Sequence, residues 1–152
     1  MKKTITSIVL SLPILVHACS GYVIGFKGLD DVFDNNAFQD YSKNLNYCNK
    51  VYSWHQRESA LKFVHKLNVK YQLYGYSKGA ETVSYLLKHT KGKMPEYVIT
   101  VGAYKTTDVN FDKYQIKYDN YFDNSGIGQR SPGIFIDVSH NQIQQEVNKL
   151  KK

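Results

Sequence analysis

The 152 residues hold only two cysteines, Cys19 and Cys48, too few for a disulfide framework or a cysteine-rich zinc module. Proline occurs three times and glycine ten, with no Pro/Gly-rich linker, internal repeat or low-complexity stretch between them. A chain of this length without such breaks is read as one continuous domain, large enough to bury a core unaided. No run of like charges is long enough to serve as a nucleic-acid arm, so specific nucleic-acid recognition is not expected. The apolar stretch from Ile5 to Val16 is interrupted by Thr6, Ser7, Ser11 and Pro13. It is too short and too broken for a comfortable membrane-spanning helix.

What the chain does contain is apolar and aromatic. Hydrophobic residues make up 42% and charged residues 22%, with 13 tyrosines and 7 phenylalanines, a balance that fits a packed globule and excludes disorder or a coiled coil. The formal net charge is +7 and the pI is near 9.3. That excess fits peripheral association with an anionic surface such as phospholipid or a cell-envelope polymer.

Residues 1–18 have the layout of a secretory signal peptide: Met1-Lys2-Lys3, the interrupted apolar stretch, then Val16 and Ala18 at the −3 and −1 positions of a cut before Cys19. The expected mature domain is then 19–152, exported and carrying a charge of +5 once two lysines are removed. Val16-His17-Ala18-Cys19 also resembles a lipobox, which would lipid-anchor the chain at Cys19, although His17 departs from that pattern. The opposing reading makes residues 5–18 a buried element of the fold and the protein cytoplasmic.

Downstream, strand and helix signals alternate. Tyr22–Ile24 reads as a buried strand, and Phe38, Tyr41, Leu45 and Cys48 form one helical stripe. Lys50–Trp54 is β-prone, and Ala60, Leu61, Val64 and Leu67 mark a second helix. Tyr71–Tyr74 is a strand followed at once by a helix with Ala80, Val83 and Leu87. Tyr97–Val101 is an inner strand stopped by Gly102, and Gln115–Phe122 alternates. Gly133–Val138 and the stripe Ile143, Val147, Leu150 close the chain. This order predicts an α/β fold, a mainly parallel sheet of about six strands flanked by helices.

Chemistry is concentrated in Gly75-Tyr76-Ser77-Lys78-Gly79, a G-x-S-x-G pattern with a strand before it and a helix after it. So tight a strand-to-helix turn strains the serine backbone and holds its hydroxyl out at the carboxyl edge of the sheet. The glycines let neighbouring backbone pass closely. The first turn of the helix presents free N–H groups and a positive dipole end to any developing oxyanion.

With that motif the chain resembles the α/β-hydrolases, in particular the small lidless serine esterases of the cutinase and class 3 lipase type, over most of residues 21–150. The resemblance implies a minimal α/β-hydrolase fold, with Ser77 as nucleophile. It also implies an oxyanion hole from the backbone N–H of Lys78 and of Phe26, the latter in the segment Val23-Ile24-Gly25-Phe26-Lys27-Gly28. His140, just after the last strand, stands where the family carries its base, with His55 as the competitor. The acid follows the next-but-one strand after the serine, which points to Asp123, with Asp119 and Asp137 as rivals. The implied activity is ester hydrolysis on a lipid or acylated polymer through an acyl-enzyme, with no metal or organic cofactor. The core is shorter than the family's usual eight strands and has no insertion long enough for a lid, which implies an open site. The alternative is a catalytically degenerate hydrolase fold that binds an anionic surface.

Overall fold

The structure, a computed structural model, describes residues 19–104, 107–125 and 133–152. The signal-peptide reading of residues 1–18 lies outside them. Among the described residues six strands form one sheet: β1 (Gly21–Phe26), β2 (Cys48–Tyr52), β3 (Lys70–Tyr76), β4 (Tyr97–Val101), β5 (Lys117–Phe122) and β6 (Ile134–Phe135). Their spatial order is β2-β1-β3-β4-β5-β6, and every pairing is parallel. Among the described residues four α-helices cover the sheet: α1 (Asn35–Asn44), α2 (Arg57–Lys66), α3 (Gly79–His89) and α4 (Ile143–Leu150).

Side-chain alternation along the strands divides the core in two. Ile24, Leu73 and Val98 face one side and pack with Ala60 and Val64 of α2 and Ala80, Val83 and Leu86 of α3. Val23, Tyr74, Ile99 and Tyr121 face the other and meet Phe38 and Tyr41 of α1 and Ile143 and Val147 of α4. A sheet buried on both faces needs apolar residues of both parities, which is why its central strands are nearly continuous apolar runs.

The path of the chain positions the site. From β1 it crosses outward to β2, then returns past β1 to β3 and continues through β4 to β6. The direction reverses at β1, so the connections leaving β1 and β3 part to opposite faces. In open parallel sheets a crevice opens at such a switch point, beyond the carboxyl ends of the strands. Ser77 lies immediately after β3 at that edge.

Two elements differ from the sequence reading. The stripe through Cys48 suggested one helix, yet α1 stops at Asn44. Asn46 takes a left-handed φ of 56°, which turns the chain and frees Cys48 to open β2. The strand expected over 133–138 pairs only at Ile134 and Phe135.

Cys48 is disulfide-bonded to Cys19, 29 residues earlier. A sulfur held in that bond is not free for a lipid thioether, so the bond stands against the alternative lipobox reading of Cys19 and clamps the segment before β1 to the edge strand β2. Closing a loop of this length stabilises by about 3–4 kcal/mol, through the restricted unfolded chain. Reduction, or the pair Cys19→Ala and Cys48→Ala, is therefore expected to lower the urea midpoint markedly, measured by circular dichroism with and without dithiothreitol. No helix among the described residues is long and apolar enough to cross a membrane.

Candidate active site

Ser77 is the residue whose backbone the turn strains most tellingly. Its φ is 52°, a left-handed value that costs a non-glycine residue about 1–3 kcal/mol and persists only where surrounding structure enforces it. The enforcement is visible. The Ser77 N–H donates to the Val101 carbonyl at 2.8 Å, and the Ala80 N–H donates back to the Ser77 carbonyl at 3.1 Å. At Gly79, a Cβ would fall 2.2 Å from the Phe26 carbonyl oxygen, so no larger residue lets the β1 loop pack on the start of α3.

Three side chains predicted from separate stretches converge here. Asp123 leaves the carboxyl end of β5 fully buried, and its Oδ2 lies 2.5 Å from His140 Nδ1. Its carboxylate can only accept, so the proton sits on Nδ1 and the other ring nitrogen keeps its lone pair. That nitrogen, Nε2, accepts from the Ser77 hydroxyl at 3.0 Å. Burial pushes the Asp123 carboxyl up, but the Ser125 hydroxyl, the His140 ring and the Ser125 N–H (2.9 Å) outweigh it. The net result is a lowered pKa, an ionised carboxylate held in place.

The rivals are engaged elsewhere. Asp119 bonds Lys151 Nζ at 2.5 Å and accepts from the hydroxyls of Tyr97 and Tyr121. Asp137 is exposed and accepts from the Asn124 side-chain amide at 3.1 Å. His55 is exposed, stands edge-on to Trp54 and lines a separate cavity of about 260 Å³ with Arg57 and Glu81.

The expected role of Phe26 needs correction. Phe26 is the last residue of β1, inside the ladder between register partners Tyr52 and Gly75. Successive strand amides point to opposite neighbours. The Lys27 N–H donates to Tyr52 at 3.0 Å, so the Phe26 N–H is directed at β3 and not into the crevice. The loop reaches Ser77 two residues later: a Cβ on Gly28 would lie 3.1 Å from Ser77 Cβ. Gly28 N–H donates to the Val32 carbonyl, and the next amide, Leu29, opens a short 3-10 turn (Leu29–Asp31) that contains no acceptor for it. Lys78 follows Ser77 directly as the N-cap of α3. Its ammonium pairs with Glu81 at 2.7 Å and lies over the rings of Trp54 and Tyr104.

Two residues that the sequence reading assigned no part in the site support the histidine. Tyr76 stacks on the His140 ring (centroids 5.1 Å apart, 25° between planes) and donates its hydroxyl to the His140 carbonyl at 3.0 Å. Gly102, just beyond β4, has a φ of +61°, and a Cβ there would lie 2.7 Å from His140 Cε1 and 2.9 Å from Asp123 Oδ2. Gly102→Ala is expected to displace the imidazole from the carboxylate and lower kcat about 10²-fold, the scale of an ångström-sized misplacement. Ester turnover beside an unchanged far-ultraviolet spectrum checks it.

A parallel six-stranded sheet flanked by helices, with a serine at the strained turn after its central strand β3, defines an α/β-hydrolase fold. Solved structures agree at the level of the fold. A protein assigned to the α/β hydrolase superfamily from Xanthomonas campestris pv. campestris superposes with a TM-score of 0.69 at 10% identity, covering 86% of this chain and 95% of that one. The esterase domain of a Rhodothermus marinus protein gives 0.62 at 12% identity, covering 90% and 86%. A cutinase-like protein from Cryptococcus sp. gives 0.53 at 14%, covering 89% and 93%. No family model matches the sequence, and no curated protein matches it significantly.

Proposed function

We propose that the chain is a serine hydrolase that cleaves carboxylic esters through an acyl-enzyme on Ser77. The observation that carries this reading is the unbroken chain from Ser77 Oγ through His140 to a buried Asp123, with Ser77 strained at the head of α3. His140 Nε2 takes the hydroxyl proton as Oγ attacks the acyl carbon, and Asp123 fixes the tautomer and stabilises the imidazolium. The tetrahedral oxyanion is held by the Lys78 N–H and, in place of Phe26, by the Leu29 N–H, each donor typically worth about 10²–10³ in rate. The imidazolium then protonates the leaving alcohol, and a water activated by the same nitrogen releases the acid.

The protein acts outside the cytoplasm in this reading, with residues 1–18 removed. The Cys19–Cys48 bond supports it, because such bonds persist in oxidising compartments. Its basic surface then favours an anionic envelope on which esters are presented.

A fluorophosphonate probe tests the central claim. Wild-type protein is expected to be labelled on Ser77, identified by peptide mass spectrometry, and to hydrolyse p-nitrophenyl acetate. Absence of both would reduce the chain to a hydrolase-fold binding protein.

A further inference from the structure

We propose that the cavity beside Tyr76 receives the alcohol half of the ester and that this alcohol is a sugar, an inference that rests on the hydrolase reading above. The direction follows from the chemistry. As the Ser77 Oγ–acyl carbon bond forms and the carbon–oxygen bond to the alcohol breaks, the proton on His140 Nε2 passes to the departing oxygen. The alcohol must therefore extend from the His140 side of Ser77.

A cavity of about 540 Å³ opens on that side, within the size range of small-molecule sites. It is bounded by Asn141, next in sequence to His140, and by Tyr76, whose ring stacks on the imidazole. The cavity that includes His55 instead follows Trp54, Glu81 and Thr82 along the starts of α2 and α3.

The lining of the cavity beside Tyr76 selects among alcohols. Half-buried Phe33 supplies ring surface over the buried Tyr76, and Asn35, Asn36 and Asn141 bring three exposed amides. Gln144 is committed to structure, accepting from the Asp34 N–H at 2.8 Å. By contrast, the three asparagine side chains make no hydrogen bond with another described residue. Each amide offers two donors and an acceptor, which matches neighbouring hydroxyls that both donate and accept. Among the described residues no lysine or arginine lines the cavity, whereas the Asp34 carboxylate does, so they offer a phosphate or carboxylate no counter-charge. An alkyl chain would strip water from amides it cannot satisfy, a loss that a hydroxylated ring avoids.

Matched esters test this. 6-O-Acetylglucose and n-hexyl acetate are both acetates of six-carbon primary alcohols, one a hydroxylated ring and the other an alkyl chain. The wild-type kcat/KM is expected to be at least about tenfold higher for the sugar ester, the kind of preference a hydrogen-bonding site imposes. That ratio should fall about threefold or more in each of Asn36→Ala and Asn141→Ala. A wild-type ratio of one or less, or a ratio unmoved by both changes, overturns the proposal.

Saturation-transfer NMR of 6-O-acetylglucose with Ser77→Ala separates this from the hydrolase reading. Transfer that disappears when Asn36→Ala and Asn141→Ala are added supports the sugar site even if neither ester turns over. Absence of transfer overturns the sugar site even where p-nitrophenyl acetate is hydrolysed.

Discussion

His140→Ala is expected to lower turnover of p-nitrophenyl acetate about 10⁶-fold, nearly as much as Ser77→Ala, because nucleophile and base act as a unit and removing either removes the step. The geometry supports so large an effect. Ser77 is only 6% exposed, and its hydroxyl reaches a proton acceptor at His140 Nε2. His55→Ala is the comparison, since that ring stands against Trp54 in another cavity, and its loss should be far milder. Residual turnover in His140→Ala within tenfold of wild type, with an unchanged circular-dichroism spectrum, would remove His140 from the mechanism.

The elements on either side of Ser77 were legible because local pattern and global fold agree there. Tyr71 to Tyr76 is an apolar run that ends in glycine-flanked serine, and both its strand and the helix behind it form where the periodicity put them. The assignment of Asp123 and His140 relied on order along the chain, and the two meet although they stand 17 positions apart. What escaped depends on contacts that no local pattern records. Gly102 was legible only as the end of a strand, yet its missing Cβ makes room for a ring 38 positions later. Tyr76 was read as the variable position of the motif, while its partner is the loop carrying His140. Phe26 read as a loop residue, but strand β1 extends through it and its N–H belongs to the ladder. Cys48 was absorbed into a helical stripe because the stop signal, a left-handed Asn46, is a single residue inside an otherwise regular spacing.

Asp123→Asn is expected to lower kcat about 10³–10⁴-fold, the cost when a histidine loses the group that fixes its tautomer. The carboxylate accepts from His140 Nδ1 at 2.5 Å through one oxygen, while Ser125 donates to the other from both its hydroxyl and its N–H. With Oδ1 committed to Ser125, an asparagine would retain that contact through its carbonyl and turn its NH₂ toward His140. Two donors would then face each other unless the ring moved its proton to Nε2, the nitrogen that must accept from Ser77. The loss should appear in kcat more than in KM, because the crevice walls are untouched. Asp119→Asn should leave kcat within about tenfold of wild type while weakening the fold, since its carboxylate is bound to Lys151 and two tyrosines. Asp137→Asn removes only an exposed contact to Asn124. Acid stability supplies an independent reading. Because the folded pKa of Asp123 is lowered, its stabilising contribution is complete above the ordinary carboxylate range near pH 4 and is lost as pH falls through the lower folded value. Urea midpoints followed below about pH 4 should therefore drop more steeply for wild type than for Asp123→Asn. Near-wild-type kcat in Asp123→Asn would leave a Ser77–His140 dyad to carry the chemistry, with Asp123 reduced to a structural carboxylate.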